Sequence, residues 1–244
     1  MRDIVILGST GSIGVQALEV IEANPNKFRV VGLSAGANNL PRLIEQVRKF
    51  NVPIVGTTGD GKVLRDSLAG VEVIDGESAA KQIAAISCDV VLNGITGSIG
   101  LGPTLAALEV GNTVALANKE SLVAGGDLVM AHGRDRIIPV DSEHSALFQA
   151  MKAGKLSDVS KVILTASGGP FRERLDLSDV TVADALAHPT WAMGPVVTVN
   201  SATLVNKGLE IIEAHYLFDL PYSKIDAVIH PQSVIHSMVE FSDG

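Results

Sequence analysis

The chain has 244 residues, of which 46% are hydrophobic and 19% are charged, and its formal net charge at pH 7 is −8. This composition supplies a sizeable apolar core and is typical of a folded, soluble protein. The acidic balance, without a cluster of Lys and Arg, argues against a nucleic-acid-binding protein. Cys88 is the only cysteine, which excludes an intrachain disulfide and a thiolate metal cluster and suits a reducing cytosol.

The sequence predicts neither a membrane span nor a targeting segment. No apolar run approaches the roughly 18 residues that a membrane span requires. The chain opens directly on an apolar strand pattern at residues 4–7, so we expect no signal or transit peptide. We therefore expect a cytoplasmic protein. Cys88 precedes the apolar run 90–92, and we expect it to be a buried structural thiol.

A glycine-rich turn follows the first predicted strand. The motif Gly-Ser-Thr-Gly-Ser-Ile-Gly occupies residues 8–14, and apolar residues at helical spacing begin at Val15. Strand, glycine turn and helix in this order predict a phosphate-binding turn of the Rossmann kind, with the amides of residues 10–13 facing the anion. The alternative is a purely structural glycine turn.

The end of the second predicted strand, 29–34, bears on the choice of cofactor. An NAD-preferring site would place Asp or Glu there to bind the ribose 2′-hydroxyl, whereas this chain has small and amide side chains from Gly36 to Asn39. These side chains leave room for a 2′-phosphate and favour NADP. Arg42 is a candidate cation about one turn further on.

Helix and strand patterns alternate through the rest of the first half, which predicts a parallel sheet with helices on both faces. Ligands bind such sheets at strand C-termini, where the turns 93–102 and 117–121 lie. Lys119 is therefore either a ligand contact or a solvated lysine at a helix start. Helices are predicted at 40–50, 60–69, 77–86, 101–110 and 119–131, and strands at 52–55, 71–74, 89–92, 113–117 and 136–140.

Two carboxylates follow the last of these strands. If 137–140 is a strand, Asp141 and Glu143 leave it on the same face, because side chains alternate along a strand. Like charges so close together require that one carboxylate takes a proton or that a cation lies between them. A hard divalent metal is the simplest such cation. The alternative is the solvated end of a strand.

The next segments carry candidate phosphate and lid residues. A helix at 145–152 and a strand at 162–165 lead to Ser167-Gly-Gly, which either offers a hydroxyl and amides to a phosphate or forms an ordinary turn. The loop 187–195 holds Trp191 between two prolines, as a lid that excludes water or as a core side chain. His188 is expected to bind substrate or to cap the turn.

A single long helix is predicted at 200–218. One face of it presents Thr203, Asn206, Lys207 and Glu210, a set that suits both a phosphate and a metal. Glu213 lies on the same face, so spacing cannot choose between Glu210 and Glu213 as a third metal ligand. Two strands at 225–230 and 234–241 are expected to form antiparallel parts of a second sheet, with His230 and His236 structural or at an interface.

Seven motifs in order give the chain a close resemblance to the 1-deoxy-D-xylulose 5-phosphate reductoisomerase family, from about residue 4 to the last residue. They are Gly-Ser-Thr-Gly-Ser-Ile-Gly (8–14), Ala-Asn-Lys-Glu-Ser (117–121), Pro-Val-Asp-Ser-Glu-His (139–144), Ser-Gly-Gly-Pro-Phe (167–171), His-Pro-x-Trp (188–191), Asn-Lys-Gly-Leu-Glu (206–210) and His-Pro-Gln-Ser-Val-Ile-His (230–236).

The resemblance implies an NADPH-dependent enzyme that also needs a divalent metal, either Mn²⁺, Mg²⁺ or Co²⁺. Such an enzyme isomerises 1-deoxy-D-xylulose 5-phosphate, a phosphorylated sugar, and reduces the product to 2-C-methyl-D-erythritol 4-phosphate in non-mevalonate isoprenoid biosynthesis. The implied fold is α/β: a Rossmann-like doubly wound parallel sheet at 1–140, which binds NADPH, followed by an α+β catalytic domain at 141–244. A homodimer is expected.

The resemblance also implies residue roles, and it selects Glu210 over Glu213. The implied metal ligands are Asp141, Glu143 and Glu210, and the implied catalytic residues are Lys119, Glu143 and His188. Cofactor contacts are implied for Thr10, Gly11, Ser12, Ile13, Gly36, Asn38, Asn118 and Glu120. Substrate contacts are implied for Lys119, Ser142, Glu143, Ser167, His188, Trp191, Ser201, Asn206, Lys207 and Glu210, and Met193 matches the lid together with His188 and Trp191.

Two departures from the family pattern leave alternatives open. Family members continue past Gly244 into a last catalytic segment and a helical C-terminal domain, so we expect a catalytic domain truncated at its C-terminal end. Ala37 stands where some relatives carry a lysine. The alternatives are an NADP-dependent reductase without rearrangement and an inactive truncated form that only binds the cofactor.

Overall fold

The computed structural model describes residues 1–191 and 194–244. They form two compact units, Met1–Ile138 and Pro139–Gly244. The sequence placed the domain boundary after Val140, two residues beyond this division. Each unit contains its own β-sheet.

The sheet of the first unit has seven strands in the order β4-β3-β2-β1-β5-β6-β7. The pairs from β4 to β6 are parallel. Because β1 lies between β2 and β5, the chain winds outward from β1 in both directions, which confirms the predicted Rossmann-like fold. The strands are β1 Arg2–Leu7, β2 Phe28–Ala35, β3 Ile54–Thr57, β4 Glu72–Asp75, β5 Val90–Asn93, β6 Thr113–Leu116 and β7 Ile137–Pro139.

Helices cover this sheet on both faces. Val5, Ile6 and Leu7 are all completely buried, and since successive strand residues point to opposite faces, neither face at β1 is open to water. Four of these helices, α3 to α6, are shorter than predicted, by one to four residues. The helices are α1 Ser12–Glu22, α2 Leu40–Phe50, α3 Lys62–Ser67, α4 Ala79–Ala84, α5 Leu101–Glu109 and α6 Glu120–Met130.

Cys88 lies just before β5 and is half-buried. Burial raises the pKa of its thiol to about 11. The thiol therefore stays protonated at neutral pH, as expected of a structural cysteine.

The sheet of the second unit has three strands in the order β10-β8-β9. The central strand β8, Val159–Ala166, pairs in parallel with β9, Ile225–Ile229, and antiparallel with β10, Ser237–Phe241. The two last strands thus run in opposite directions, as predicted, but β8 separates them. The helices of this unit are α7 Ser142–Ala150, α8 Val182–Leu186, α9 Pro195–Ala202 and α10 Val205–Phe218.

The single helix predicted at 200–218 is wrong. Leu204 adopts a left-handed conformation, with φ of 60°, and this interrupts the helical hydrogen-bond ladder between α9 and α10. The hydroxyl of Thr203 donates to the carbonyl of Asn200 at 3.1 Å and stabilises the turn. Thr203 therefore does not share a helix face with Asn206, Lys207 and Glu210.

The predicted helix start at 145 is also wrong. Asp141 is the N-cap of α7: its Oδ1 accepts from the amide of Ser142 at 2.9 Å, and its carbonyl accepts from the amide of Ser145 at 2.8 Å. The capping side chain starts the helix three residues earlier than the apolar pattern suggests. Asp141 and Glu143 consequently lie at a helix start and not on one face of a strand.

No helix in the described part of the chain combines the length and the apolar content that crossing a bilayer demands.

Candidate functional site

The glycine turn after β1 is shaped by Gly8. This residue has φ of 75°, and a Cβ atom there would lie 2.8 Å from the carbonyl oxygen of Gly94. Only glycine fits both the conformation and the space. The amides of Gly8 and Ser9 donate to the carbonyl of Ser34 at 2.8 and 3.0 Å, which ties the turn to the end of β2.

The N-terminus of α1 follows this turn and offers amides to an anion. Gly11 is the N-cap, and the first intrahelical bond runs from the amide of Val15 to the carbonyl of Gly11 at 3.0 Å. The amides of Ser12 and Ile13 precede that bond and have no acceptor within the helix. Together with the helix dipole they make this end of α1 suitable for a pyrophosphate.

Hydrogen bonds between two buried residues, Ser9 and Gln46, fix the turn. The Ser9 hydroxyl donates to Gln46 Oε1 at 2.8 Å, and Gln46 Nε2 donates back to the Ser9 carbonyl at 2.8 Å. Gln46 lies in α2, far from the turn in sequence, so no local pattern could have revealed the pair. These two bonds hold the backbone of the turn in one conformation.

A cavity of about 620 Å³ opens in front of the turn. It runs from Gly8 and Gly11 past the end of β2, where the predicted cofactor contacts Gly36 and Asn38 line it. Its volume lies within the range of small-molecule and cofactor sites. The cavity and the glycine turn therefore fit a dinucleotide.

The motif 117–121 supports the loop that lines this cavity. Asn118 is buried, and its Nδ2 donates to the carbonyls of Ile95 at 2.6 Å and Gly97 at 2.8 Å and to Glu120 Oε2 at 3.0 Å. Asn118 thus acts on the cavity through the loop. Lys119, at the start of α6, is only 7% exposed, so it is not a solvated lysine.

Three carboxylates converge in the second unit. Asp141 caps α7, Glu143 lies in its first turn, and Glu210 lies on α10; one ligand oxygen from each falls within 4.8 Å of the others. Glu210 is 1% exposed. The strand pattern paired Asp141 with Glu143, and the family resemblance added Glu210; the structure brings all three together, although the first two lie at a helix start and not on a strand. Oxygen ligands at this spacing are what a hard divalent cation binds.

Lys207 compensates part of this negative charge. Its Nζ lies 2.9 Å from Glu143 Oε1 and also forms an ion pair with Glu210 Oε2. Asn206 Nδ2 donates to the other oxygen of Glu210. Both side chains were predicted to contact the substrate phosphate, and here they contact the carboxylates.

His144 fixes the backbone next to Glu210. Its Nε2 lies 2.8 Å from the Glu210 carbonyl oxygen, and its Nδ1 lies 3.4 Å from Glu213 Oε2, with both side chains fully buried. Asp141, His144 and Glu213 also bring ligand atoms within 4.8 Å of one another. Geometry alone therefore still permits Glu213 as a ligand. Sequence reasoning missed the His144 contact, since it joins two helices 66 residues apart.

Ser142 lies between the carboxylates and a histidine from the end of the chain. Its hydroxyl donates to Glu143 Oε2 at 2.6 Å, so His236 Nδ1, 3.0 Å away, donates to the Ser142 oxygen. Ser237 also donates to the Glu143 carbonyl at 3.0 Å. His236 was expected to be structural or at an interface, but it reaches the carboxylate cluster.

His188 contacts the predicted phosphate turn. Its Nδ1 accepts from the amides of Thr190 at 3.1 Å and Trp191 at 2.9 Å, so the ring proton is on Nε2, which donates to Ser167 Oγ at 3.0 Å. Burial lowers the pKa of His188, and the nearby charge of Arg172 lowers it further. His188 is therefore neutral at physiological pH.

The Ser167 turn closely approaches the end of α9. Gly169 has φ of 69°, and a Cβ atom there would lie 2.7 Å from the carbonyl oxygen of Ser201. The turn thus brings Ser167 and Ser201 into one region, as expected if both bind one phosphate. Trp191 is 45% exposed, which excludes it as a core side chain, and Met193 lies outside the described residues.

Two family models match the chain. The model described as 1-deoxy-D-xylulose 5-phosphate reductoisomerase matches residues 4–126, and the model described as the C-terminal domain of the same enzyme matches residues 137–218. Together they cover most of both units.

Similar proteins carry the same name. 1-Deoxy-D-xylulose 5-phosphate reductoisomerase of Streptomyces coelicolor is 57% identical over an alignment 256 residues long. The alignment covers 100% of this chain and 61% of that protein. A solved DOX-P reductoisomerase in complex with NADPH, fosmidomycin and magnesium matches with a TM-score of 0.92 at 36% identity, covering 100% of this chain and 65% of the other. The Zymomonas mobilis enzyme in complex with NADPH matches with a TM-score of 0.90 at 41% identity, with coverages of 100% and 65%. The chain spans 61 to 66% of the length of the curated relatives it matches.

Replacing Lys207 tests the electrostatics of the cluster. In Lys207→Met, Glu143 and Glu210 stay together without their cation, so the free energy of unfolding without metal should fall by about 3 kcal/mol. Urea denaturation in the presence of a chelator measures this.

The matched control is Lys161→Met, which removes an exposed ion pair with Asp226. Exposed pairs contribute about 1 kcal/mol or less, so this variant should lose little stability. Equal losses for the two variants would show that the carboxylate cluster is not under charge strain.

Proposed function

The chain belongs to the 1-deoxy-D-xylulose 5-phosphate reductoisomerase family, and from this we propose that it isomerises and reduces 1-deoxy-D-xylulose 5-phosphate to 2-C-methyl-D-erythritol 4-phosphate. The reaction would depend on NADPH and a divalent metal and serve non-mevalonate isoprenoid biosynthesis. The observation that carries the proposal is the convergence of Asp141, Glu143 and Glu210 within 4.8 Å beside Lys207. A protein that only binds a nucleotide has no need of this cluster.

Asp141, Glu143 and Glu210 would hold the metal, either Mg²⁺, Mn²⁺ or Co²⁺. Their carboxylate oxygens suit a hard cation, and the bond from His144 to the Glu210 carbonyl keeps Glu210 oriented. The metal, when bound, supplies Lewis-acid polarisation of substrate oxygens during the rearrangement. A relative solved in complex with magnesium supports the use of a divalent metal.

Lys207 and Asn206 would turn from the carboxylates to the substrate. Both now donate to carboxylates that a divalent cation would neutralise. Freed from them, their donors can bind the substrate phosphate together with the hydroxyls of Ser167 and Ser201. Since the phosphate is remote from the reacting carbons, this binding energy can be used to position the substrate.

The remaining predicted residues would orient the substrate and exclude water. The Ser142 hydroxyl, held by His236, lies next to Glu143 and can bind a substrate oxygen. Neutral His188 can donate from Nε2, and the exposed ring of Trp191 can cover the ligand as a lid. Lys119 would contact substrate, as its burial at the start of α6 suggests.

The first unit would bind NADPH, and the second would bind metal and substrate. The amides at the start of α1, from Thr10 to Ile13, would hold the pyrophosphate, and Gly36 and Asn38 would contact the adenosine ribose. Asn118 and Glu120 would support the nicotinamide end through the loop they hold. NADPH, when bound, supplies the hydride.

We further propose a cytoplasmic location and a homodimer. A pathway enzyme for a phosphorylated sugar suits the cytosol, as does a single cysteine. Support for the dimer comes from exposed apolar side chains at the end of β9 and in the loop after it, such as Ile229 and Val234. Sedimentation equilibrium should give twice the chain mass, and a purely monomeric species would contradict the dimer.

The test of the function is turnover in the wild-type chain and in Glu143→Gln. The wild type should oxidise NADPH with 1-deoxy-D-xylulose 5-phosphate only when Mg²⁺ or Mn²⁺ is present. Glu143→Gln keeps the shape of the side chain but removes the charge of one metal ligand. The value of kcat should therefore fall by at least about 100-fold, which is more than the loss expected when a residue that only positions a metal ligand is replaced. Absorbance follows NADPH, and NMR identifies the product.

Glu240→Gln is the control, because Glu240 is an exposed carboxylate on β10 that accepts from Ser160 at 2.9 Å. It should retain wild-type kcat. A linear polyol as product would indicate a reductase without rearrangement. Cofactor binding without turnover in the presence of metal would indicate a form that only binds NADPH.

A further inference from the structure

The cavity of the first unit extends beyond the place expected for the pyrophosphate. In a Rossmann-like sheet the adenosine ribose lies at the end of β2. Here the cavity continues from Asn38, past Thr58 at the end of β3, to Ser78 and Lys81. A group attached to the ribose 2′-oxygen and pointing away from β1 would enter this part of the cavity.

A 2′-phosphate needs a cation in this region. A phosphate monoester carries a charge of about −1.5 to −2 at neutral pH. The protein has a net charge of −8, so its overall field opposes such a ligand and local groups must supply the attraction. The turn of residues 36–39 contains Ala37 and two asparagines and supplies no charge.

Polar groups without charge already face this turn. Thr58 Oγ1 lies 4.0 Å from the point that a Cβ atom on Gly36 would occupy, so its hydroxyl is next to the turn. Asn38 is exposed and lines the same cavity. These two side chains can donate hydrogen bonds to phosphate oxygens, but neither can discriminate a dianion from a hydroxyl group by charge.

Lys81 provides that charge. Within residues 1–191 and 194–244, it is the only cationic side chain that lines the cavity. It lies in α4, which Ala79 and Ile83 anchor to the sheet, since a Cβ atom on Gly56 would contact both side chains. Lys81 itself is exposed and extends from this fixed helix toward the cavity.

Arg42, the candidate cation from the sequence, has no such position. It lies in the first turn of α2, where its backbone amide donates to Asn39 Oδ1 at 3.3 Å. It does not line the cavity among the described residues. The structure therefore favours Lys81 in α4 over Arg42 in α2 as the cation at this cavity.

Glu77 gives the cavity a second charge, of opposite sign. It lies four residues before Lys81 and also lines the cavity. Loss of Lys81 would leave a cavity with a formal charge of −1, which repels a phosphate. Loss of Glu77 should have the opposite effect, so the two residues form a matched pair for a test.

We propose that Lys81, assisted by Thr58 and Asn38, recognises the 2′-phosphate of the dinucleotide and so determines the preference for NADPH over NADH. The proposal rests on the proposed function, because it assumes that this cavity binds the cofactor. Some relatives carry a lysine at position 37, where this chain has Ala37. The proposal places the corresponding positive charge on Lys81 of α4.

The experiment measures the dissociation constants of NADP⁺ and NAD⁺ for the 244-residue chain by isothermal titration calorimetry, which requires no turnover. In Lys81→Gln the preference for NADP⁺ should fall about tenfold, as expected for loss of one charge-assisted contact, while the affinity for NAD⁺ stays unchanged. Glu77→Gln should increase the preference, and Arg42→Gln should leave it as in the wild type.

Two outcomes would overturn the proposal in different ways. An unchanged preference in Lys81→Gln, or a loss of preference in Arg42→Gln, refutes the role of Lys81 and leaves the proposed function intact. A wild-type chain that binds neither dinucleotide refutes the cofactor site as well. Circular dichroism melts of the three variants, all at exposed positions, should match the wild type, so a change in binding cannot be ascribed to unfolding.

Discussion

The electrostatic repulsion between closely spaced carboxylates, of which Glu210 is buried and Asp141 and Glu143 are partly buried, is the constraint on which the second unit depends. Glu143 and Glu210 approach each other closely enough to share the ammonium group of Lys207, and Asp141 lies within ligand distance of both. Such a cluster persists only because the start of α7 and the face of α10 are fixed by other contacts, among them the bond from His144 to the Glu210 carbonyl. The protein holds these three carboxylates where a bound divalent cation would remove their mutual repulsion.

In the first unit, backbone amides and not side chains provide the groups suited to a charged ligand. Under the proposed function it binds a polyanion although the protein is acidic, and it would do so with amides at the start of α1 and with few side-chain charges. The Ser9 and Gln46 pair holds the backbone of the turn, and Asn118 does the same for the loop at 95–97. Preorganised amides attract phosphate groups without the desolvation cost of buried lysines.

The sequence predicted features that depend on local order and missed those that depend on contacts between distant residues. The alternation of strands and helices and the glycine turn were predicted because periodicity and Gly8 act within a few residues. The break at Leu204 has no glycine or proline to mark it, and the cap at Asp141 was hidden by the apolar run before it. The His144 contact with Glu210 and the place of Lys81 in the cavity arise from tertiary packing, which a single sequence does not encode in any local pattern.

A crystal of the chain soaked in Mn²⁺, with the ion located by its anomalous scattering, measures most directly whether the carboxylate cluster is a metal site. We expect one ion at about 2.1 Å from carboxylate oxygens of Asp141, Glu143 and Glu210, with Lys207 moved away from Glu143. An ion held by His144 and Glu213, or no ion at the cluster at saturating Mn²⁺, would contradict this.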